Sequence, residues 1–328
     1  MMQNQLGDLT QKNDQHRRRL LASLNHKESD RVPFTLGSPS CSMHSIAQRN
    51  LLKHLGFLQD EDVIVTDNIL QIVETDKRVL DYFDIDLRWL LPREAPVRWD
   101  VDGNSFIDDF GRRFVAGGGF FNQINHPLNN YTLEELDSYG FPDLVDHDRF
   151  SHLPFQAKAL FDGGFGLGVD GPWGIYEISS SLVGTEQYLM DLIINPTYAR
   201  NVAEKVLEKH HIPFYDQLLA RTAGFVQVVG ISDDLGAQNG LIFSPKTFRK
   251  IFKPLLQELV SHIKKMTDAK VYMHSDGSIY PIIPDLIEIG VDGLNPVQYT
   301  AKGMELARLK TSLVKTWGFL VELSKIQY

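Results

Sequence analysis

Short apolar runs that stop abruptly at polar residues recur along this chain, with stretches of helical length between them. The clearest case spans Lys270 to Pro296. Val271 to Met273 is apolar and ends at His274, Asp276 and Gly277. A helix-like segment from Pro281 to Ile289 carries Leu286, Ile287 and Ile289, and Gly290 stands where it should stop. Val291 to Leu294 is a second apolar run, closed by Asn295-Pro296. Strand, polar loop, helix, strand, polar loop is one unit of a parallel α/β architecture. Such folds keep their chemistry in the loops after the strands.

The same rhythm covers the rest of the chain. Seven strands are predicted: Val32 to Leu36, Asp86 to Leu91, Gly164 to Val169, Val226 to Ile231, Lys270 to His274, Val291 to Leu294, and Val314 to Phe319. Helices are predicted over His16 to Asn25, after His44 to about Leu55, over Asp76 to Phe83 and over Phe155 to Phe161. Asn195-Pro196 and Ser244-Pro245 read as capped helix starts, and Thr132 to Glu135 as a capping box. Pro254 should kink or divide the helix it sits in. Between Arg93 and Phe121 the alternation shortens around Asp102-Gly-Asn, which predicts a β-hairpin inserted after the second strand. Residues 1–14 lack periodicity and read as a disordered tail, leaving 15–328 as one domain.

Composition narrows the function classes. A formal charge of -9 argues against nucleic acid or an anionic membrane as partner. The single cysteine, Cys41, allows no intrachain disulfide and points to a reducing, cytoplasmic setting. No apolar run approaches the roughly 18 residues that span a bilayer. A small-molecule substrate is the expectation.

The His-Ser-Asp-Gly turn at 274–277, the segment Pro284-Asp-Leu-Ile-Glu-Ile-Gly-Val-Asp and Asn295-Pro-Val-Gln together resemble the uroporphyrinogen decarboxylase superfamily. Arg17 to Gly37 is similar to its opening segment, and the resemblance extends from about His16 to Gly318. It implies a (β/α)8 TIM barrel. Its branches are porphyrinogen decarboxylases and zinc-dependent methyltransferases that act on corrinoid proteins. Against an eight-stranded barrel, the strand count stops at seven and only Leu320 to Tyr328 remain. The chain is therefore expected to lack the last β/α unit, to expose a sheet edge, and to dimerise or aggregate through it.

The methyltransferase turn is His-x-Cys-Gly, whose His and Cys hold zinc with a later Cys. Here Asp276 takes the cysteine position, and no cysteine follows. His274 and Asp276 are accordingly candidate ligands for a divalent metal harder than thiolate-bound zinc. Catalytic candidates are His274, Asp276, Asp233 and Asp234. The last two end the most apolar strand, with only one of them expected to face a cavity and the other to brace the loop Gly236 to Gly240. Trp173 and Tyr176, in a segment similar to the family's Gly-Ala-Pro-Trp, are candidate substrate contacts, as are Arg93, Asn295 and Gln298. Cys41 and His44 form a weak two-ligand signal, and Asp67 and Glu74 read as solvated helix-face charges.

The decarboxylase branch uses arginines after strand one and an aspartate after strand two. The segment from Gly37 to His44 has no arginine, and Arg93 stands at the second place. The methyltransferase-like reading is favoured, with methyl transfer involving a corrinoid protein partner or a small methylated substrate. Porphyrinogen decarboxylation and an inactive ligand-binding barrel are the alternatives.

Overall fold

The computed structural model describes residues 14–57, 63–144, 148–313 and 318–319. Its centre is a six-stranded parallel sheet whose strands follow one another in chain order. These are β1 (Leu87–Leu90), β2 (Gly166–Val169), β3 (Val228–Ser232), β4 (Lys270–His274), β5 (Gly293–Asn295) and β6 (Gly318–Phe319). Thr35 adds a parallel bridge to Leu87, so the predicted first strand touches the sheet at a single residue pair. The described parts of all seven predicted segments thus contribute to one TIM-barrel-like α/β fold; of the seventh, Val314 to Phe319, residues 314–317 lie outside the described residues. Residues 1–13 of the expected tail and the segment Leu320 to Tyr328 lie outside the described residues.

Alternation along the strands sorts the interior from the outer layer. Leu87, Trp89, Val228 and Tyr272 pack with Leu20 into one inner cluster. Leu90, Leu167, Val169, Val229, Ile231, Val271 and Met273 join the larger core against the helices. Glycine makes room for the large inner side chains. A Cβ on Gly168 would stand 2.7 Å from the Trp89 ring, and one on Gly166 would strike Leu20. Gly168→Ala should therefore cost about 1–3 kcal/mol by overpacking. Urea unfolding checks this, and an unchanged midpoint would show that the interior has slack.

The N-terminal helix, Gln15–Leu24, is pinned to the sheet electrostatically. Arg19 (5% exposed) pairs with the fully buried Asp86, which also receives Arg31 and His16. Two long helical stretches each contain a π-helical turn, Leu207–His211 and Phe248–Phe252. Each turn directly precedes an α-segment with Pro213 or Pro254 in its first turn. A proline lacks the N–H and crowds the carbonyl one turn back, and the wider turn accommodates both. Pro254 divides its helix in this way.

The insertion after β1 is larger than the predicted hairpin. It is a four-stranded antiparallel meander: Arg98–Trp99, Ser105–Ile107, Arg113–Gly117 and Phe120–Gln123. Trp99, Phe114 and Phe121 pack around Phe106 at 4.9–5.1 Å between ring centres. The third turn is Gly118-Gly119, both with positive φ, the geometry a tight hairpin turn needs. A three-stranded antiparallel sheet, Met43–His44, Val65–Asp67 and Ile72–Val73, was not foreseen at all. It overturns the helix-face reading of Asp67 and Glu74. Asp67 lies on this sheet and accepts from Ile69 N and Leu70 N, while Glu74 directly follows it and is half-buried.

Candidate functional site

Three parallel strands end side by side. Ser232 pairs in register with His274, and His274 with Asn295, so three polar residues line the C-terminal ends of β3, β4 and β5. The imidazole Nδ1 of His274 lies 2.8 Å from Oδ1 of Asn295. Because that amide oxygen only accepts, Nδ1 carries the proton and Nε2 keeps its lone pair. Nε2 is 3.9 Å from Oδ1 of Asp234, which accepts the backbone N–H of Asp276 at 2.8 Å. Asp234, His274 and Asp276 each present one ligand atom, all within 4.8 Å of one another.

The loops that hold this cluster are tightly built. Gly277 has φ +84°, and a Cβ there would fall 2.4 Å from the backbone of Gly236. Its N–H donates to Oε1 of Gln298, and Ser275 Oγ accepts Leu235 N. Gln298 is thereby placed as a loop brace, with its amide nitrogen on Gln238.

Asp233 points the other way, as strand alternation requires. It is fully buried and accepts the N–H groups of Tyr176 and Glu177, capping the helix Ile175–Val183. Asp233 thus braces that helix; the predicted loop, Gly236 to Gly240, is instead held by its own two-stranded pairing and by bonds from Ser278, Gln298 and Lys302. Burial, then the nearby Glu177, pushes the Asp233 carboxyl well above the usual range. Tyr176 is buried among Tyr188, Phe243 and Phe252, a core position. Trp173 is half-buried with its indole N–H on Asp67, 3.3 Å away. Arg93 is largely exposed and paired with Asp148 at 2.6 Å. His44 has both ring nitrogens engaged, on Ile46 N and Gly119 O, while Cys41 is buried.

Two acids beside the cluster escaped the sequence reading. Glu177 closes back on Gly174 N at 2.8 Å, and burial followed by Asp234 lifts its carboxyl to about 7. The N-cap is a glycine, so the usual Ser/Thr capping signal was missing. Asp170 directly follows β2 and accepts the hydroxyls of Tyr272 (2.7 Å) and Ser40 (3.2 Å). Its position at a strand end was the available signal, hidden by the adjoining Gly171-Pro172 turn.

A further carboxyl near the strand ends gives a pH prediction. Burial, then the charge of Asp67, raises Glu94 to about 8. The folded state thus keeps a proton that the unfolded chain gives up near its ordinary value, so this group lowers stability as pH rises from about 4.5 to about 8. Glu94→Gln should be near neutral at pH 5 and stabilising by at least about 1 kcal/mol at pH 9. Denaturant unfolding at both values decides it; equal effects would contradict the assignment.

Residues 168–307 match the family described as uroporphyrinogen decarboxylase (URO-D). That span contains Asp170, Glu177, Asp234, His274, Asp276 and Asn295. Over this region the chain is similar to the uroporphyrinogen decarboxylase superfamily. No curated protein matches the sequence. Among solved structures, a methyltransferase from Methanosarcina mazei is similar at 18% identity with a TM-score of 0.57, over 85% of this chain and 74% of that one. At that identity the likeness concerns the fold. Within the URO-D superfamily fold, the cluster sits where barrel enzymes assemble their sites.

Proposed function

We propose that the chain is a methyltransferase-like enzyme of the uroporphyrinogen decarboxylase superfamily, with Asp234, His274 and Asp276 holding a divalent cation. The observation that carries this reading is the convergence of those three ligand atoms within 4.8 Å, with the Nε2 lone pair of His274 left free by Asn295. One imidazole and two carboxylates suit a cation that accepts nitrogen and oxygen, such as Zn2+ or Mn2+. They do not reproduce the thiolate set that the methyltransferase turn implies.

Bound there, a divalent cation supplies Lewis acidity that stabilises an anionic acceptor group at neutral pH. The protein's own residues do the rest. Asn295 fixes the tautomer and orientation of His274, as hydrogen-bonded partners of metal-binding imidazoles do. The Asp276 N–H holds Asp234 in place. Methylation of a thiol requires its proton to leave before the sulfur–carbon bond forms. Glu177, beside Asp234 and His274, can take that proton. The methyltransferase from Methanosarcina mazei that shares the fold supports methyl transfer, and the methyl donor proposed is a corrinoid carried by a partner protein.

The test is demethylation of free methylcobalamin, followed by its absorbance, with a thiol acceptor and added Zn2+ or Mn2+. The proposal expects turnover that disappears in Glu177→Gln and His274→Ala. Carbon dioxide release from a porphyrinogen, with no demethylation under any metal, would contradict it in favour of the decarboxylase branch.

A further inference from the structure

A cavity lies beside β1. It measures about 290 Å3 and is walled by that strand, the helix Lys77–Tyr82 and the helix Leu153–Asp162. Arg88 and Trp89 both line it, and Trp89 also packs with Leu87 in the inner cluster. The guanidinium packs on the Phe165 ring at 4.4 Å and gives one N–H to Asp81 at 2.9 Å.

Polar atoms are left over here. Arg88 is only 4% exposed, yet its Nε has no hydrogen-bond partner among the described residues. Oε1 of Gln156, on the opposite wall, is likewise buried and without a partner. One helical turn before it, Nδ1 of His152 is in the same state, although its Nε2 reaches Leu91 O at 3.1 Å. Orphaned buried groups are rare and ask for an explanation. Finding a donor and an acceptor unpartnered on one cavity points to an occupant.

The remaining wall selects what that occupant is. Leu36, Leu80, Leu91, Leu160 and Phe165 make it largely apolar. A cavity of this size would hold on the order of ten waters, each wanting two to four polar partners, and so few orphaned groups cannot anchor them. Asp81 is shared between Arg88 and Lys77, so the cations exceed the one carboxylate pairing them. The other acid on the wall is Glu74, whose carboxyl burial pushes up toward the neutral form. A single negative charge is therefore matched, whereas a dianion such as phosphate would be over-charged against apolar walls.

We propose that this cavity is a binding site, separate from the Asp234–His274–Asp276 cluster, for a small apolar monocarboxylate bearing one hydrogen-bond donor. The carboxylate accepts from Nε of Arg88, the donor meets Oε1 of Gln156, and the aliphatic body lies on the leucines. A branched hydroxy acid fits this description.

Calorimetric titration of the full chain with 2-hydroxy-4-methylpentanoate tests it. Binding is expected, weakened at least about 10-fold by Arg88→Met and by Gln156→Leu, and unaffected by His274→Ala. The methyl ester of the same acid should not bind. Circular dichroism melts establish that each variant is folded. Should Arg88→Met fail to fold, Ala159→Trp, an exposed helical position on the cavity wall, should close the site and abolish binding instead. Absence of heat up to about 10 mM ligand, or unchanged affinity in Gln156→Leu together with Arg88→Met or Ala159→Trp, would overturn the proposal and leave a structural, water-filled void.

Discussion

Asp86→Ala should remove about 3–5 kcal/mol of folding stability, the range seen when one partner of a buried ion pair is deleted. Asp86 is completely buried and gathers Arg19, Arg31, His16 and the N–H of Phe34. Its loss strands Arg19, itself 5% exposed, with only Asp30 as counter-charge. The damage would reach two elements, because these contacts fasten the helix Gln15–Leu24 and the Phe34 segment to the start of β1. Chemical denaturation measures the loss. The double variant Asp86→Leu/Arg19→Met should recover much of it, since two apolar groups no longer demand pairing. A single-variant loss under about 1 kcal/mol would mean that the network is solvated in solution.

At the candidate site the largest effect is expected from His274. Replacing it by Ala removes the only nitrogen ligand of the cluster and should weaken divalent-metal affinity by at least about 100-fold. Asn295→Ala should cost about 10–100-fold through loss of imidazole orientation. Cys41→Ser should change nothing, because the thiol is buried and is not one of the three converging ligands, and His44 is committed to backbone partners. Competition against a chelating dye gives the three affinities. Equal affinity for the His274→Ala protein would remove the imidazole from the site, and a loss in Cys41→Ser would move the metal to the Ser-rich loop.

The parallel strands were legible because each is a short apolar run with an abrupt polar end, and burial on both faces leaves no other reading. The pairing of His274 with Asn295 was legible in part, since both end adjacent strands. What strand ends cannot say is which side chain turns inward. Asp233 and Asp234 are chemically identical, and only the fold shows the first capping a helix and the second facing His274. The small antiparallel sheet carrying Asp67 was invisible because its strands are two or three residues long, too short for any periodicity. The turns at 108–112 and at Gly118-Gly119 add a third and a fourth strand to the insertion, beside the stronger Asp102-Gly103 signal. Tyr176 drew attention by following a Gly-Pro-Trp turn, yet the helix begun at Ile175 carries it into the core.

The most direct measurement is a crystal structure of the protein grown with Mn2+, recorded with anomalous scattering from the ion. The account predicts one strong peak about 2.0–2.2 Å from Nε2 of His274 and from a carboxylate oxygen each of Asp234 and Asp276, with Nδ1 still on Asn295. A peak bound through Nδ1, a peak elsewhere, or none at saturating Mn2+ would contradict it.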